Sequence, residues 1–179
     1  MLIALAGLPA SGKSTLSRRL KGALGATLLD KDALRAMLFE HRVDYSAAQN
    51  DLVVDIAYRV AAYLHGCHDD PCVLIDGRTF SERRQVETLK EAAAGMGARL
   101  AIIECRCSEE TARARLNAAA GEHPAADRDF SLYLRRRAGA EPIVEPRLTL
   151  DTDDLSLEEC VTRSLAYLRE RAKRSSDDP

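Results

Sequence analysis

Short apolar runs alternate with helical patterns along the whole chain, and this alternation limits the possible folds more than any other feature. Buried strands separated by helices are typical of a parallel sheet covered by helices on both faces. The fold class is therefore predicted to be α/β, with one domain over residues 1–174 and a disordered tail at 175–179. The predicted strands are 2–6, 26–29, 72–75, 100–105 and 148–150.

Helices are predicted between these strands. The first runs from Ser14 to about 24, and others cover 81–96 and 108–120. Ser46 and Gln49 form a capping box, behind which apolar residues recur every four positions to Gly66, and this spacing predicts a helix. A short arginine-bearing helix is expected within 121–146, and a last helix begins near Ser156. The apolar residues of the repeating pattern are Leu52, Ile56, Val60 and Leu64.

Composition indicates which partners and which cellular compartment to expect. The chain has 26 basic and 28 acidic residues, so its formal net charge is −2. Proteins that must bind nucleic acid usually show a basic excess, so this balance argues against such a partner. The apolar start at 1–6 is too short for a signal peptide or a membrane span, and the five cysteines lack zinc-binding spacing. We therefore expect a cytoplasmic protein with reduced thiols and no membrane contact.

A glycine-rich segment between the first strand and the first helix carries the strongest motif. Residues 7–14 fit the pattern G-x-x-x-x-G-K-[ST]. In such a P-loop, backbone N–H groups and the helix N-terminus bind phosphate oxygens, the lysine reaches the β- and γ-phosphates, and the last hydroxyl binds Mg²⁺. The residues predicted to bind the nucleotide here are Gly7, Leu8, Pro9, Ala10, Ser11, Gly12, Lys13, Ser14 and Thr15, with Ser14 also a metal ligand.

Two acidic residues follow the second predicted strand. Ligands of doubly wound sheets lie at the carboxyl ends of strands, so Asp32 is expected to face the γ-phosphate. Asp32 is our candidate for the base that accepts the proton of an attacking hydroxyl, and Asp30 is the second choice. The alternative is that Asp32 only caps a helix that begins at Ala33. Arg35, one helical turn further on, is predicted to bind an anionic part of the acceptor.

The third predicted strand leads into Asp76, Arg78 and Thr79. An acid after a buried strand beside the P-loop strand is typical of the Walker B position, so Asp76 is predicted to hold Mg²⁺ through water and to border the acceptor. The alternative is an ordinary loop acid, because a few apolar residues followed by Asp is a common pattern. Arg78 and Thr79 are expected in the acceptor pocket, together with other residues of 77–84 and of 39–50, including His41, Arg42, Asp44 and Tyr45.

These motifs together resemble the small P-loop kinases related to zeta toxins, chloramphenicol phosphotransferase, adenylylsulfate kinase and the kinase domain of polynucleotide kinase, a group of AAA_33-type ATP-binding proteins. The Asn-Lys-x-Asp motif of GTPases is absent, and the chain is too short for an AAA+ machine. The resemblance covers about residues 2–170. The segments that carry it are GLPASGKST at 7–15, Asp32-x-x-Arg35, IDGRTF at 75–80 with Arg84 behind it, and LDT at 150–152.

The resemblance implies a three-layer P-loop NTPase fold with five parallel strands in the order 2-3-1-4-5. It also implies an ATP–Mg²⁺ donor, an arginine-bearing lid at about 113–138, and Thr152 beside the adenine. Relatives commonly carry Arg-Leu-x-x-Arg in the lid, whereas this chain has Arg115-Leu116 but an alanine at the second arginine position. The candidate lid arginines are Arg115 and Arg128 as catalytic groups, Arg113 as a nucleotide ligand, and the run 135–137, which could instead be a solvated helix face.

The leading hypothesis is transfer of the γ-phosphate of ATP to a hydroxyl of a small molecule. A 5′-hydroxyl polynucleotide kinase is one alternative, although the chain has only eight aromatic residues for stacking on bases. An adenylylsulfate or nucleotide kinase is another, because Arg35 and Arg78 suit an anionic acceptor. A different class is a non-catalytic ATP-binding switch or toxin-like regulator, which would need the P-loop but not Asp32. No pattern in the sequence names the acceptor or the oligomeric state.

Overall fold

A single parallel sheet organises the computed structural model, which describes residues 1–69, 71–118 and 129–173. Numbered along the chain, the five strands lie in the order 2-3-1-4-5, so the predicted fold class and strand order are confirmed. The predicted tail and the middle of the predicted lid lie outside the described residues. The strands are β1 (Leu2–Ala6), β2 (Thr27–Asp30), β3 (Val73–Asp76), β4 (Leu100–Arg106) and β5 (Leu148–Asp151).

Helices cover both faces of the sheet. Successive side chains of β1 point to opposite faces, so that Ile3 and Leu5 pack with the helices Lys13–Leu24 and Leu157–Lys173, while Leu2 and Ala4 pack with the helices Ala47–Cys67 and Arg83–Gly95. This burial on both sides explains why the strands are almost continuously apolar. Within the described residues the α-helices are α1 (Lys13–Leu24), α2 (Lys31–Phe39), α3 (Ala47–Cys67), α4 (Arg83–Gly95), α5 (Glu109–Ala118), α6 (Phe130–Ala138) and α7 (Leu157–Lys173).

The turn from β2 into α2 differs from the prediction. Asp30, the last residue of β2, is the N-cap, and its Oδ1 accepts hydrogen bonds from the backbone N–H groups of Asp32 and Ala33 at 2.8 and 3.3 Å. The helix begins at Lys31, so the interpretation of Asp32 as the cap of a helix from Ala33 is wrong. The physical reason is that the chain passes from strand to helix without a loop. The side chain of Asp32 therefore does not have the capping role.

A half-buried carboxylate joins β4 to β5. Glu104 accepts hydrogen bonds from Arg106 at 3.0 Å and from Arg147 at 2.5 Å, and its side chain is 12% exposed. Burial by itself raises the pKa of Glu104, but the hydrogen bonds and charges of the two arginines outweigh it and hold the pKa below its ordinary value.

We expect Glu104→Gln to lower the free energy of unfolding at pH 7 by about 1–3 kcal/mol, because it removes a charged hydrogen-bond acceptor. A pKa depressed in the folded state contributes stability above the unfolded pKa, and this contribution is lost as the pH falls through the folded pKa. The difference between wild type and variant should therefore shrink below about pH 4.3. Urea denaturation at pH 7 and pH 3 measures this difference in the free energy of unfolding. The variant Glu87→Gln, at an exposed position of α4, is the control. An unchanged difference at both pH values would contradict this account.

Candidate active site

The P-loop follows β1 and runs close against the end of β4. A Cβ atom at Gly7 would overlap the carbonyl oxygen of Cys105, and Gly7 has a φ of +131°, so only glycine fits this turn. Gly12, with a φ of +92°, is the N-cap of α1. These two glycines let the chain leave the sheet and enter α1 within a few residues.

The N-terminus of α1 is prepared for an anion. Within the described part of the chain, no side chain caps it, and its first turn contains no acidic residue. Lys13 lies there, 7% exposed, and its Nζ donates to the carbonyl of Leu8 at 2.8 Å. The Oγ of Ser11 is buried without a hydrogen-bond partner among the described residues. A helix N-terminus without a side-chain cap, beside a lysine, is the kind of site that binds phosphate.

A cavity of about 1010 Å³ begins at this helix end. It brings P-loop residues together with residues from elsewhere in the chain, among them Asp30, Arg115 and Thr152. The Nη1 of Arg115 donates to the carbonyl of Ala10 at 3.1 Å and to Oγ1 of Thr152 at 2.9 Å, and its Nη2 donates to the carbonyl of Thr152 at 3.0 Å. Arg115 therefore ties the P-loop to the chain after β5. The P-loop residues that line this cavity are Ala10, Gly12, Lys13, Ser14 and Thr15.

A second cavity, of about 170 Å³, opens on the other side of Lys13. It brings Lys13 and Ser14 together with Asp32, although the two segments are separated by a helix and a strand in the sequence. Its volume is below the roughly 300–1,000 Å³ of pockets for drug-sized ligands. The other predicted site residues that line it are Pro9, Arg35, Arg78 and Thr79.

Asp32 belongs to a polar cluster with two cations. Its Oδ1 lies 3.0 Å from Nη1 of Arg35 and 3.2 Å from Nζ of Lys31. The Oδ1 of Asn50 accepts hydrogen bonds from the same two cations, and its Nδ2 donates to the carbonyls of Tyr45 and Ser46. Burial lowers the pKa of Lys31, and the charge of Asp32 opposes that shift.

Tyr45 completes this cluster from above Arg35. The Cζ of Arg35 lies 5.0 Å from the centre of the Tyr45 ring, and the Arg35 side chain is only 3% exposed. Tyr45 has a φ of +54°, which is a strained value for a bulky residue. Strain of this kind persists where neighbouring contacts hold the backbone, as Asn50 does here by its bond to the Tyr45 carbonyl.

A second carboxylate, Asp51, pairs with two arginines that line the same cavity. Its oxygens lie 2.8 Å from Nη2 of Arg78 and 3.1 Å from Nη1 of Arg84. Burial raises the pKa of Asp51, but the hydrogen bonds from the two arginines outweigh it, so the pKa lies below its ordinary value. The Nε of Arg78 is buried without a hydrogen-bond partner among the described residues.

Asp76 lies deeper than the sequence suggests. It is completely buried, and its carboxylate accepts hydrogen bonds from the Ser17 hydroxyl at 2.7 Å and from the Gly77 N–H at 2.6 Å. Among the described residues it is not part of the lining of the small cavity. Asp30 pairs with Asp76 across neighbouring strands, and burial, followed by the charge of Asp76, raises the pKa of Asp30.

The candidate lid arginines occupy different positions in the structure. Arg113 is 56% exposed and lies over the ring of Phe130, with 3.9 Å from its Cζ to the ring centre. In the run 135–137, Arg135 is exposed, Arg137 pairs with Glu109, and Arg136 lines the small cavity with its Nη1 3.5 Å from Glu82. Arg128 lies outside the described residues.

Lys31 and Asp51 line the small cavity but were not predicted as site residues, whereas Asn50 lies in the range 39–50 that was expected there. The available signal for Asp51 was the polar run Gln49-Asn50-Asp51 near the start of α3. Of the loop residues expected in the pocket, Tyr45 lines it, whereas His41 and Arg42 are exposed and are not among its described lining residues.

A sequence model of the AAA_33 family, described as an AAA domain, matches residues 2–142. The chain belongs to the AAA_33 family. No curated protein matches this AAA_33 protein. None of the helices in the described residues is long and apolar enough to cross a membrane.

Solved structures share the fold of this AAA_33 protein at low sequence identity. A candidate kinase from Chloroflexus aurantiacus J-10-fl is 22% identical with a TM-score of 0.73, over 92% of this chain and 96% of that one. A gluconokinase from Sinorhizobium meliloti 1021 is 20% identical with a TM-score of 0.71, over 97% and 94%. The APS kinase CysC of Mycobacterium tuberculosis, in complex with AMPPNP and APS, is 20% identical with a TM-score of 0.67, over 94% and 96%. The predicted small P-loop kinase fold is confirmed.

Proposed function

We propose that this AAA_33 protein is a phosphotransferase that moves the γ-phosphoryl group of ATP to a hydroxyl of a small-molecule acceptor. The observation that carries the proposal is the small cavity, where Lys13 and Ser14 of the P-loop meet Asp32. A phosphate donor on one wall and a proton acceptor on the other are what a kinase needs. The kinases among the structures with the same fold, a gluconokinase and an APS kinase, support this assignment.

The chemistry divides between the two walls. The hydroxyl oxygen of the acceptor attacks the γ-phosphorus, the bond to the β-phosphate oxygen breaks, and ADP leaves. Asp32 accepts the hydroxyl proton. Lys13 and the free N–H groups of α1 stabilise negative charge on the phosphates. Arg136 is the lid arginine that suits this role best, because it lines the same cavity as Lys13, and Arg128 stays a prediction.

The donor side of the site extends into the large cavity. There Thr15 and Thr152 border the expected position of the nucleotide, beyond the phosphates. Arg115, which was predicted as a catalytic group, bonds to the backbone of both the P-loop and Thr152. We propose that Arg115 holds these two segments together around the nucleotide, and that Arg113 on the exposed face of α5 contributes less.

The residues present suit Mg²⁺. Ser14 lines both cavities, so its hydroxyl is available to the ion, whereas Asp76 is buried, lines neither cavity among the described residues and is held in one orientation by Ser17 and Gly77. Mg²⁺ prefers such oxygen ligands, keeps several waters and usually takes only one or two protein ligands beside the phosphates of its nucleotide. Ser14 would bind the ion directly and Asp76 would hold one of its waters. The ion would neutralise charge on the β- and γ-phosphates.

ADP release in the presence of small hydroxyl compounds tests this function. We expect at least one compound to stimulate ADP release by about tenfold or more over the rate with water alone, because a bound acceptor supplies the attacking hydroxyl. A 5′-hydroxyl oligonucleotide belongs in the same panel, and its selective use would support the polynucleotide kinase alternative. Saturable ATP binding without stimulation by any compound would contradict the proposal and favour a non-catalytic switch.

A further inference from the structure

The small cavity carries more positive charge than its own carboxylates balance. Besides Lys13 of the P-loop, five cations line it, Lys31, Arg35, Arg78, Arg84 and Arg136, against three carboxylates, Asp32, Asp51 and Glu82. Each carboxylate is shared by two cations. The whole chain has a net charge of −2, so this excess is local to the cavity.

Burial makes this excess significant. The side chains of Arg35, Arg78 and Lys31 are 3%, 12% and 16% exposed. Buried charges in proteins are normally paired, because an unpaired charge away from water costs several kcal/mol. A neutral acceptor would displace water from these cations without replacing its interactions. An anionic acceptor would supply the missing negative charge.

These cations are not equally available to a ligand. Arg35 already contacts Asp32 and Asn50 and lies under the ring of Tyr45. Arg78 has a buried Nε without a hydrogen-bond partner in the described chain, and Arg84 reaches the cavity from α4 with 64% of its side chain exposed. The position for an anionic group is therefore beside Arg78 and Arg84, which pair with Asp51 and not with Asp32.

A neutral polar group is also unsatisfied there. Gln85 lines the cavity and is 6% exposed, and its carboxamide oxygen is buried without a hydrogen-bond partner among the described residues. A buried acceptor atom of this kind needs a donor. A second hydroxyl of the acceptor would supply one.

We infer that the acceptor is a small hydroxylated anion whose carboxylate or phosphate group binds Arg78 and Arg84, whose reacting hydroxyl faces Asp32, and whose further hydroxyl donates to Gln85. This inference rests on the proposed function for the role of the hydroxyl. The binding of the anion does not depend on transfer, so the two can be tested separately.

The first test is binding of inorganic sulfate to the full chain saturated with AMPPNP and Mg²⁺, which fill the P-loop. Calorimetry should show one sulfate site. Arg84→Gln should weaken it about tenfold, and so should Arg78→Gln, because each removes a charged donor. Arg83→Gln is the matched control, since Arg83 is the exposed neighbour of Arg84 and not part of the described cavity lining. Because Arg84 is exposed, its variant should fold even if the Arg78 variant does not. Absence of sulfate binding, or unchanged binding in Arg84→Gln, overturns the inference.

The second test compares matched compounds as acceptors: glycerate and glycerol 3-phosphate against glycerol, and gluconate against glucitol. An anionic member should be used at least about tenfold more efficiently than its neutral partner, and this preference should shrink in Arg84→Gln. Comparison of glycerate with glycerol 3-phosphate shows whether the anionic group is a carboxylate or a phosphate. Preference for the neutral members overturns the inference while the proposed function stands. If sulfate binds but no compound accepts a phosphoryl group, the anion site is supported and the proposed function is contradicted.

Discussion

Lys13→Ala should reduce phosphoryl transfer by at least about 10²–10³-fold, because it removes the cation that stabilises charge on the β- and γ-phosphates in the transition state. Lys13 is buried at the N-terminus of α1 and lines both cavities, so no other described lysine occupies an equivalent position. ADP release with a stimulating acceptor measures the effect.

The control for Lys13→Ala is Lys90→Ala. Lys90 is an exposed residue of α4 that pairs with Glu145, away from both cavities. It should retain wild-type turnover. Thermal unfolding of both variants separates loss of chemistry from loss of folding. Wild-type turnover in a folded Lys13→Ala variant would contradict the assignment of the P-loop as the donor site.

Asp32→Asn should reduce transfer by about 10²–10⁴-fold while ATP binding is retained, because a general base contributes a factor of this size. Asn keeps the size of the side chain but cannot take up the hydroxyl proton. Asp32 lines only the cavity on the acceptor side, so the nucleotide site should remain intact. Steady-state turnover and the affinity for a fluorescent ATP analogue measure the two properties.

Asp30→Asn is the matched control for the base. Asp30 lies two residues away at the same end of the sheet, and Asn is as good an N-cap as Asp, so the start of α2 should survive. We expect this variant to keep most of its activity. Loss of activity in Asp30→Asn with retention in Asp32→Asn would instead make Asp30 the base.

The local features of the site were predictable from short stretches of sequence. Gly7, Gly12 and Lys13 lie within seven residues, and their chemistry requires only that a strand precede them and a helix follow. The strands were predictable for a similar reason, since burial on both faces demands apolar residues at every position. Such features depend on neighbours in the chain and on one general constraint from the fold.

The buried face of α3 could not be predicted in this way. Leu52, Ile56, Val60 and Leu64 recur every four residues, yet Leu52 is 49% exposed and Val60 is 38% exposed. The helix instead turns a neighbouring face toward the sheet, because the direction of packing is set by the strands and helices it meets. The buried residues on that face are Val53, Val54, Ala57, Tyr58 and Ala61.

By itself, the sequence determined that this chain forms a parallel α/β sheet with a P-loop after its first strand, because both depend on local patterns. Only the tertiary structure decided which residues line the small cavity beside Lys13. Asn50 and Asp51 of α3 meet Lys31 and Arg78 because β2 and β3 lie side by side in the sheet. Contacts of this kind join segments far apart in the chain, so they depend on how the elements pack rather than on any single stretch of sequence.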